Sequence, residues 1–182
     1  MMTDDVLLQI KVISQLLHFP DEALIARIPV YKAALNDQEI RKRFAPVFDY
    51  FEMTSLIDLQ ITYTETFDLK PNNCMNLTYH CFGDSEKRGR ALAFLEEIYR
   101  MAGLERIDSE LPDYLPLVLE FIAEQPDIGR EAIIPCCGDA IRILAERFTE
   151  AGHPYGVLFD QAICLIDVSA CCPEEQLKHT GD

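Results

Sequence analysis

The spacing of apolar residues constrains this chain more than any other feature. From Val6 onward, apolar side chains recur at intervals of three and four, and no segment holds the strict alternation of a half-buried strand. Val6, Ile10, Ile13 and Leu17 form a first stripe, with Thr3 as a cap and Asp4 and Asp5 suited to a helix N-terminus. Residues 21–28 predict a short second helix between Pro20 and Pro29. Residues 36–53 follow, with Ile40, Phe44, Val47, Phe48 and Phe51 on one side and Pro46 predicting a kink or split. Leu56, Leu59, Tyr63 and Phe67 predict a helix over 56–67.

Between residues 68 and 83 the pattern stops. Pro71, Asn72 and Asn73 predict a loop there, of a length that often carries function. Asp84 or Ser85 then caps a helix with Ala91, Leu95, Ile98 and Ala102 as its stripe and Gly103 as its stop. Leu115, Val118, Leu119 and Ile122 mark another, broken by Pro126 and Gly129. A long helix spans 130–151, carrying Ile133, Cys137, Ala140, Ile141, Leu144 and Phe148 and closed by Gly152. The last begins near Pro154, with Leu158, Ala162, Leu165 and Ile166 inward. The expectation is an all-α, single-domain helical bundle of roughly eight helices over residues 1–172, with a polar tail at 173–182.

Composition excludes several functions. At 182 residues, the chain is long enough to bury a full core without disulfide or metal staples. Its 31 acidic against 16 basic residues give a net charge of −15, which repels phosphate backbones and anionic membrane surfaces. No basic leader precedes the first helix, and no apolar run reaches the roughly 18 residues of a membrane span. A cytoplasmic protein is expected, with no nucleic-acid partner and no membrane insertion. The 7 cysteines are an odd number and include two adjacent pairs, Cys136-Cys137 and Cys171-Cys172. They predict free thiols used as small hydrophobes rather than a disulfide framework.

Chemistry-bearing motifs are sparse. The GxGxxG, Walker A, GxSxG and HExxH patterns are absent, as are the paired Glu-x-x-His motifs of di-iron bundles. The best metal or thiol grouping is Cys74, His80 and Cys81 on the central loop, with Cys171 and Cys172 as further donors. It lacks a CxxC knuckle, and it stands as the alternative reading, a small metal- or thiol-dependent enzyme. Two stretches are denser in mixed chemistry. Residues 76–90 pack Tyr79, His80, Asp84 and Arg88 around Gly83 and Gly89, which suits a recognition surface as well as a capping loop. Residues 110–116 read Glu-Leu-Pro-Asp-Tyr-Leu-Pro, where Glu110 or Asp113 can cap exposed amides and the prolines stiffen the approach to a helix.

These stretches carry a resemblance. Tyr63-Thr64-Glu65-Thr66-Phe67-Asp68, Leu77-Thr78-Tyr79-His80-Cys81-Phe82-Gly83-Asp84-Ser85, Arg88-Gly89-Arg90-Ala91-Leu92 and the run from Glu110 to Phe121 resemble the NarJ branch of the TorD/DmsD/NarJ group. These are the dedicated assembly chaperones of molybdoenzymes. Across the wider group a histidine often follows the acidic residue of the last motif; Tyr114 stands there in this chain.

The resemblance implies an all-helical, TorD-like chaperone without catalytic activity or a cofactor of its own, as a monomer or a dimer. Its expected partner is the apo catalytic subunit of a molybdoenzyme, such as respiratory nitrate reductase, held in the cytoplasm through its N-terminal segment until the molybdenum cofactor is inserted. Carried onto this sequence, the recognition candidates are Tyr63, Phe67, Tyr79, His80, Asp84, Arg88, Glu110, Asp113, Tyr114 and Glu120. Tyr63 and Phe67 are expected as groove wall or as core. Asp84, Glu110, Asp113 and Glu120 are expected to offer charge to a cationic peptide, and Arg88 and His80 to meet a carboxylate or fix the loop.

Overall fold

The computed structural model describes residues 2–104 and 110–166. The helices in order are α1 (Asp4–Leu16), α2 (Glu22–Ala34), α3 (Gln38–Met53), α4 (Leu56–Tyr63), α5 (Leu77–Phe82), α6 (Glu86–Met101), α7 (Leu115–Glu124), the single turn α8 (Pro126–Ile128), α9 (Ile134–Glu150) and α10 (Gly156–Ile166). Wider π-type turns extend α4 through Thr64–Asp68 and join α8 to α9 through Gly129–Ile133. Among the described residues there is no strand, only one isolated antiparallel bridge between Asn76 and Tyr114.

Helix starts are written in side-chain oxygens. Thr3, Asp21, Asp37 and Ser55 each accept a hydrogen bond from a first-turn amide of the helix that follows. Gly103 and Gly152 close α6 and α9 with φ of +75° and +59°, a backbone that a Cβ disfavours. Two prolines do less than the sequence predicts. Pro29 and Pro46 lie inside α2 and α3 on exposed faces, so water can satisfy the carbonyls they leave unbonded and both helices continue.

The core runs along the middle of the bundle. α1 packs on α7 and α9 on α10, and Phe44, Phe48, Phe51, Tyr155 and Phe159 are fully buried between them. The Tyr155 ring meets Tyr50, Phe51, Tyr63 and Phe67, tying α3 and α4 to the start of α10. Gly129 allows α7 and the π-type turn to touch, since a Cβ there would stand 2.9 Å from the Ile122 Cα. No helix among the described residues is long and apolar enough to cross a membrane. The polar tail expected at 173–182 lies outside the described residues.

Candidate functional site

The Glu-Leu-Pro-Asp-Tyr-Leu-Pro segment is fastened from several sides. The Tyr99 hydroxyl donates to the Pro112 carbonyl at 2.7 Å, and the buried Ser14 hydroxyl to the Pro116 carbonyl at 2.8 Å. The segment then pairs with the central loop. The Leu77 amide donates to the Asp113 carbonyl and the Leu115 amide to the Met75 carbonyl, at 3.0 and 2.8 Å. Asp113 has 0% exposure. Its carboxylate accepts from the Thr78 amide (3.0 Å), from the Thr78 hydroxyl and from the Asn76 side-chain amide (3.1 Å). The first amides of any helix lack intrahelical partners. Asn76 gives α5 no side-chain cap, so Asp113 caps it from thirty-five residues away. Its charge is therefore spent inside the fold, and Asp113 shapes the site from beneath.

This clamp sets Tyr114 beside Tyr63. The Tyr63 hydroxyl donates to the Leu17 carbonyl at 3.0 Å, so the Tyr114 hydroxyl, also 3.0 Å away, donates to it. Burial, and then the neighbouring Tyr114, push the Tyr63 phenol far above its ordinary range, and it stays neutral. Phe19 meets Tyr63 edge-on at 5.4 Å, Phe67 lies 4.8 Å from the same ring, and His18 flanks Tyr114 at 6.0 Å.

Around these rings opens a cleft of about 460 Å³. Phe19, Tyr63, Phe67, Met75 and Tyr114 give its apolar and aromatic wall, and Cys74 and Asn76 its loop side. Among the described residues its charged lining is Asp68 and Glu110, both acidic and exposed. Phe19, 46% exposed, also borders a second recess of about 490 Å³ between α1 and α2, which Arg27 and Asp21 line.

Four of the sequence candidates thus share one cleft: Tyr63, Phe67, Glu110 and Tyr114. A second group sits at the α5–α6 corner. Arg88 stacks over Tyr79 at 5.5 Å and reaches Asp84 at 3.3 Å. His80 belongs to the loop, donating from Nε2 to the Cys74 carbonyl at 2.7 Å. Glu120 is exposed on α7, apart from the cleft lining. Sequence reasoning passed over Phe19, Asp68, Met75 and Asn76. Phe19 carries a readable signal, an aromatic residue between a helix end and Pro20.

Cys74, His80 and Cys81 do not converge. The Cys74 thiol lies 3.8 Å from His80 Nε2, but that nitrogen carries the proton given to the Cys74 carbonyl and offers the thiol no base. Burial pushes the Cys74 thiol up and the His80 imidazole down, so both are held neutral. Cys81 faces the opposite way, toward the Cys136 carbonyl at 3.9 Å. Among the described residues no group of three or more His, Cys, Asp or Glu is placed to hold a metal ion. Cys171 and Cys172 lie outside the described residues.

The bundle has the fold of a redox-enzyme maturation protein. A crystal structure from Archaeoglobus fulgidus, described as a redox enzyme maturation protein, matches with a TM-score of 0.66 at 19% identity, over 90% of this chain and 93% of that one. The sequence goes further. The profile of the nitrate reductase delta subunit family matches residues 33–160, and the chain belongs to that family. It is 29% identical over 168 residues to the nitrate reductase molybdenum cofactor assembly chaperone NarJ of Escherichia coli, covering 90% of this chain and 71% of that protein. Against the probable NarJ chaperone of Bacillus subtilis it is 29% identical over 170 residues and covers 92% of both. A 98-residue stretch is 37% identical to the nitrate reductase-like protein NarX of Mycobacterium tuberculosis, 51% of this chain and 14% of that one.

Proposed function

We propose that this protein is a non-catalytic assembly chaperone. It binds the apo catalytic subunit of a molybdoenzyme of the respiratory nitrate reductase kind, on the cytoplasmic side, and holds it competent for molybdenum cofactor insertion. The docking element is the client's N-terminal segment, and the cleft between α4 and the start of α7 receives it. The observation that carries this reading is the cleft's make-up: an aromatic wall with Asp68 and Glu110 as the charged residues of its rim among those described.

Such a surface suits a short amphipathic helix with apolar residues on one face and basic residues beside them. Each apolar side chain driven fully into the cleft contributes about 1.5–3 kcal/mol, part of which is lost to ordering the peptide. Asp68 and Glu110 steer the basic residues and set orientation more than they raise affinity. Tyr63, Phe67 and Tyr114 supply the wall, and Asp113 positions Tyr114. His80 adjoins it through the Cys74 carbonyl, Tyr79, Asp84 and Arg88 form the neighbouring α5–α6 corner, and Glu120 adds charge along α7.

Complementation tests this. In a host deleted for its own NarJ-type chaperone and supplied with the cognate reductase, this protein restores molybdenum content and nitrate-reducing activity. Tyr63→Ala combined with Tyr114→Ala abolishes the rescue at equal protein level, and Glu146→Gln on the exposed side of α9 retains it. A cleft variant that rescues fully would remove the cleft from the mechanism.

A further inference from the structure

α5 packs across α9, and three cysteines gather where they meet. Cys81 is exposed on α5, Cys136 is half-buried in the first turn of α9, and Cys137 is buried beneath it. The Cys81 sulfur lies 3.9 Å from the Cys136 carbonyl oxygen, which sets the two residues against one another where α5 meets α9. The neighbouring Cys137 lowers the Cys136 thiol to about 7, low for a cysteine. Burial, then the nearby Cys136 charge, pushes the Cys81 thiol up. Cys136 is thus set to attack and Cys81 to resolve.

We propose that Cys81 and Cys136 form a reversible disulfide when the protein meets a low-molecular-weight disulfide such as oxidised glutathione. The Cys136 thiolate attacks one glutathione sulfur; a Cys136–glutathione bond forms, the glutathione S–S bond breaks, and one glutathione thiolate leaves. Deprotonated Cys81 then attacks the Cys136 sulfur, forming the protein disulfide and expelling the second glutathione. The protein gives up two electrons and two protons, and both end on the two reduced glutathiones. The adjacent pair Cys136-Cys137 is a poor competitor. Consecutive Cα atoms are about 3.8 Å apart, short of the roughly 4.4–6.8 Å a disulfide spans. The new bond staples the end of α5 to α9, next to His80 and the Cys74 carbonyl it holds on the loop wall of the cleft. This proposal stands independently of the chaperone reading.

The test is oxidation of the full chain in a glutathione redox buffer, followed by non-reducing tryptic mapping. The expected product links the peptide holding Cys81 to the one holding Cys136, with two fewer reactive thiols, reversed by dithiothreitol. Those peptides also hold Cys74 and Cys137, so variants make the assignment. The link persists in Cys74→Ser and Cys137→Ala and vanishes in Cys81→Ser and in Cys136→Ser. A link that survives Cys81→Ser, or oxidation confined to other cysteines, would overturn the proposal. A fully reduced protein under conditions that oxidise a control surface dithiol would do the same.

Discussion

Asp113 is the residue on which the site turns. Three donors converge on one buried carboxylate, and two belong to Thr78 at the start of α5. Removing the acceptor strands them in the interior, so Asp113→Ala should cost about 2–4 kcal/mol of folding stability, read from urea denaturation. A cost below about 0.5 kcal/mol would show that the clamp does not hold the structure together. Tyr114→Phe is the milder change. It removes one hydroxyl, leaves the Tyr63–Leu17 bond standing and keeps the aromatic wall, with an expected loss of about 0.5–1.5 kcal/mol. Two histidines give a pH dependence. Burial depresses both His80 and His153 below their ordinary value near 6.5, with Lys70 adding to the effect on His153. Well above pH 6.5, neither is protonated in the folded or the unfolded chain. As pH falls below about 6.5 the unfolded chain takes up protons that the folded chain refuses, so stability is lost on acidification. The thermal midpoint should drop between about pH 7.5 and about pH 5.5, and His80→Gln, which can still donate to the Cys74 carbonyl, should flatten that slope. An unchanged slope in the variant would assign the acid sensitivity to other groups.

At the scale of the elements, helices carrying their own stripe and caps were legible, and those held by distant partners were not. Gly103 and the stripe through Leu95 and Ile98 mark α6 in the sequence, and the helix spans Glu86–Met101; the cap expected of Asp84 or Ser85 does not form, since the Ser85 hydroxyl donates back to the Phe82 carbonyl. α5 was invisible, because six residues within a polar loop carry no periodicity and their cap comes from Asp113 on another segment. Pro29, Pro46 and Gly129 were read as breakers from local propensity. The prolines face solvent, and Gly129 continues the chain through a π-type turn because it must pass close to Ile122. Gly129→Ala tests that contact: its Cβ would meet both backbone and side chain of Ile122, for an expected cost of about 1–3 kcal/mol in thermal or urea unfolding. A neutral substitution would mean that α7 and the turn can move apart freely.

At the scale of the molecule, the net charge of −15 argues against phosphate-backbone partners and the apolar spacing against strand architectures, but neither could place a cleft. Tyr63 and Phe67 fall on one helical stripe and Glu110 and Tyr114 in one motif, so each pair was readable locally. Their meeting was not, since it depends on the bridge between Asn76 and Tyr114 and on Phe19 folding over Tyr63. The most direct measurement is titration calorimetry of the full chain with a peptide from the N-terminus of the cognate molybdoenzyme catalytic subunit, beside a scrambled peptide of equal charge. The account predicts binding of the true peptide alone, at about micromolar or tighter, or roughly −8 kcal/mol. Tyr63→Ala should weaken it about tenfold or more, and added salt should weaken it further. Equal binding of both peptides, or binding untouched by Tyr63→Ala, would contradict the assignment of the cleft as the client's docking site.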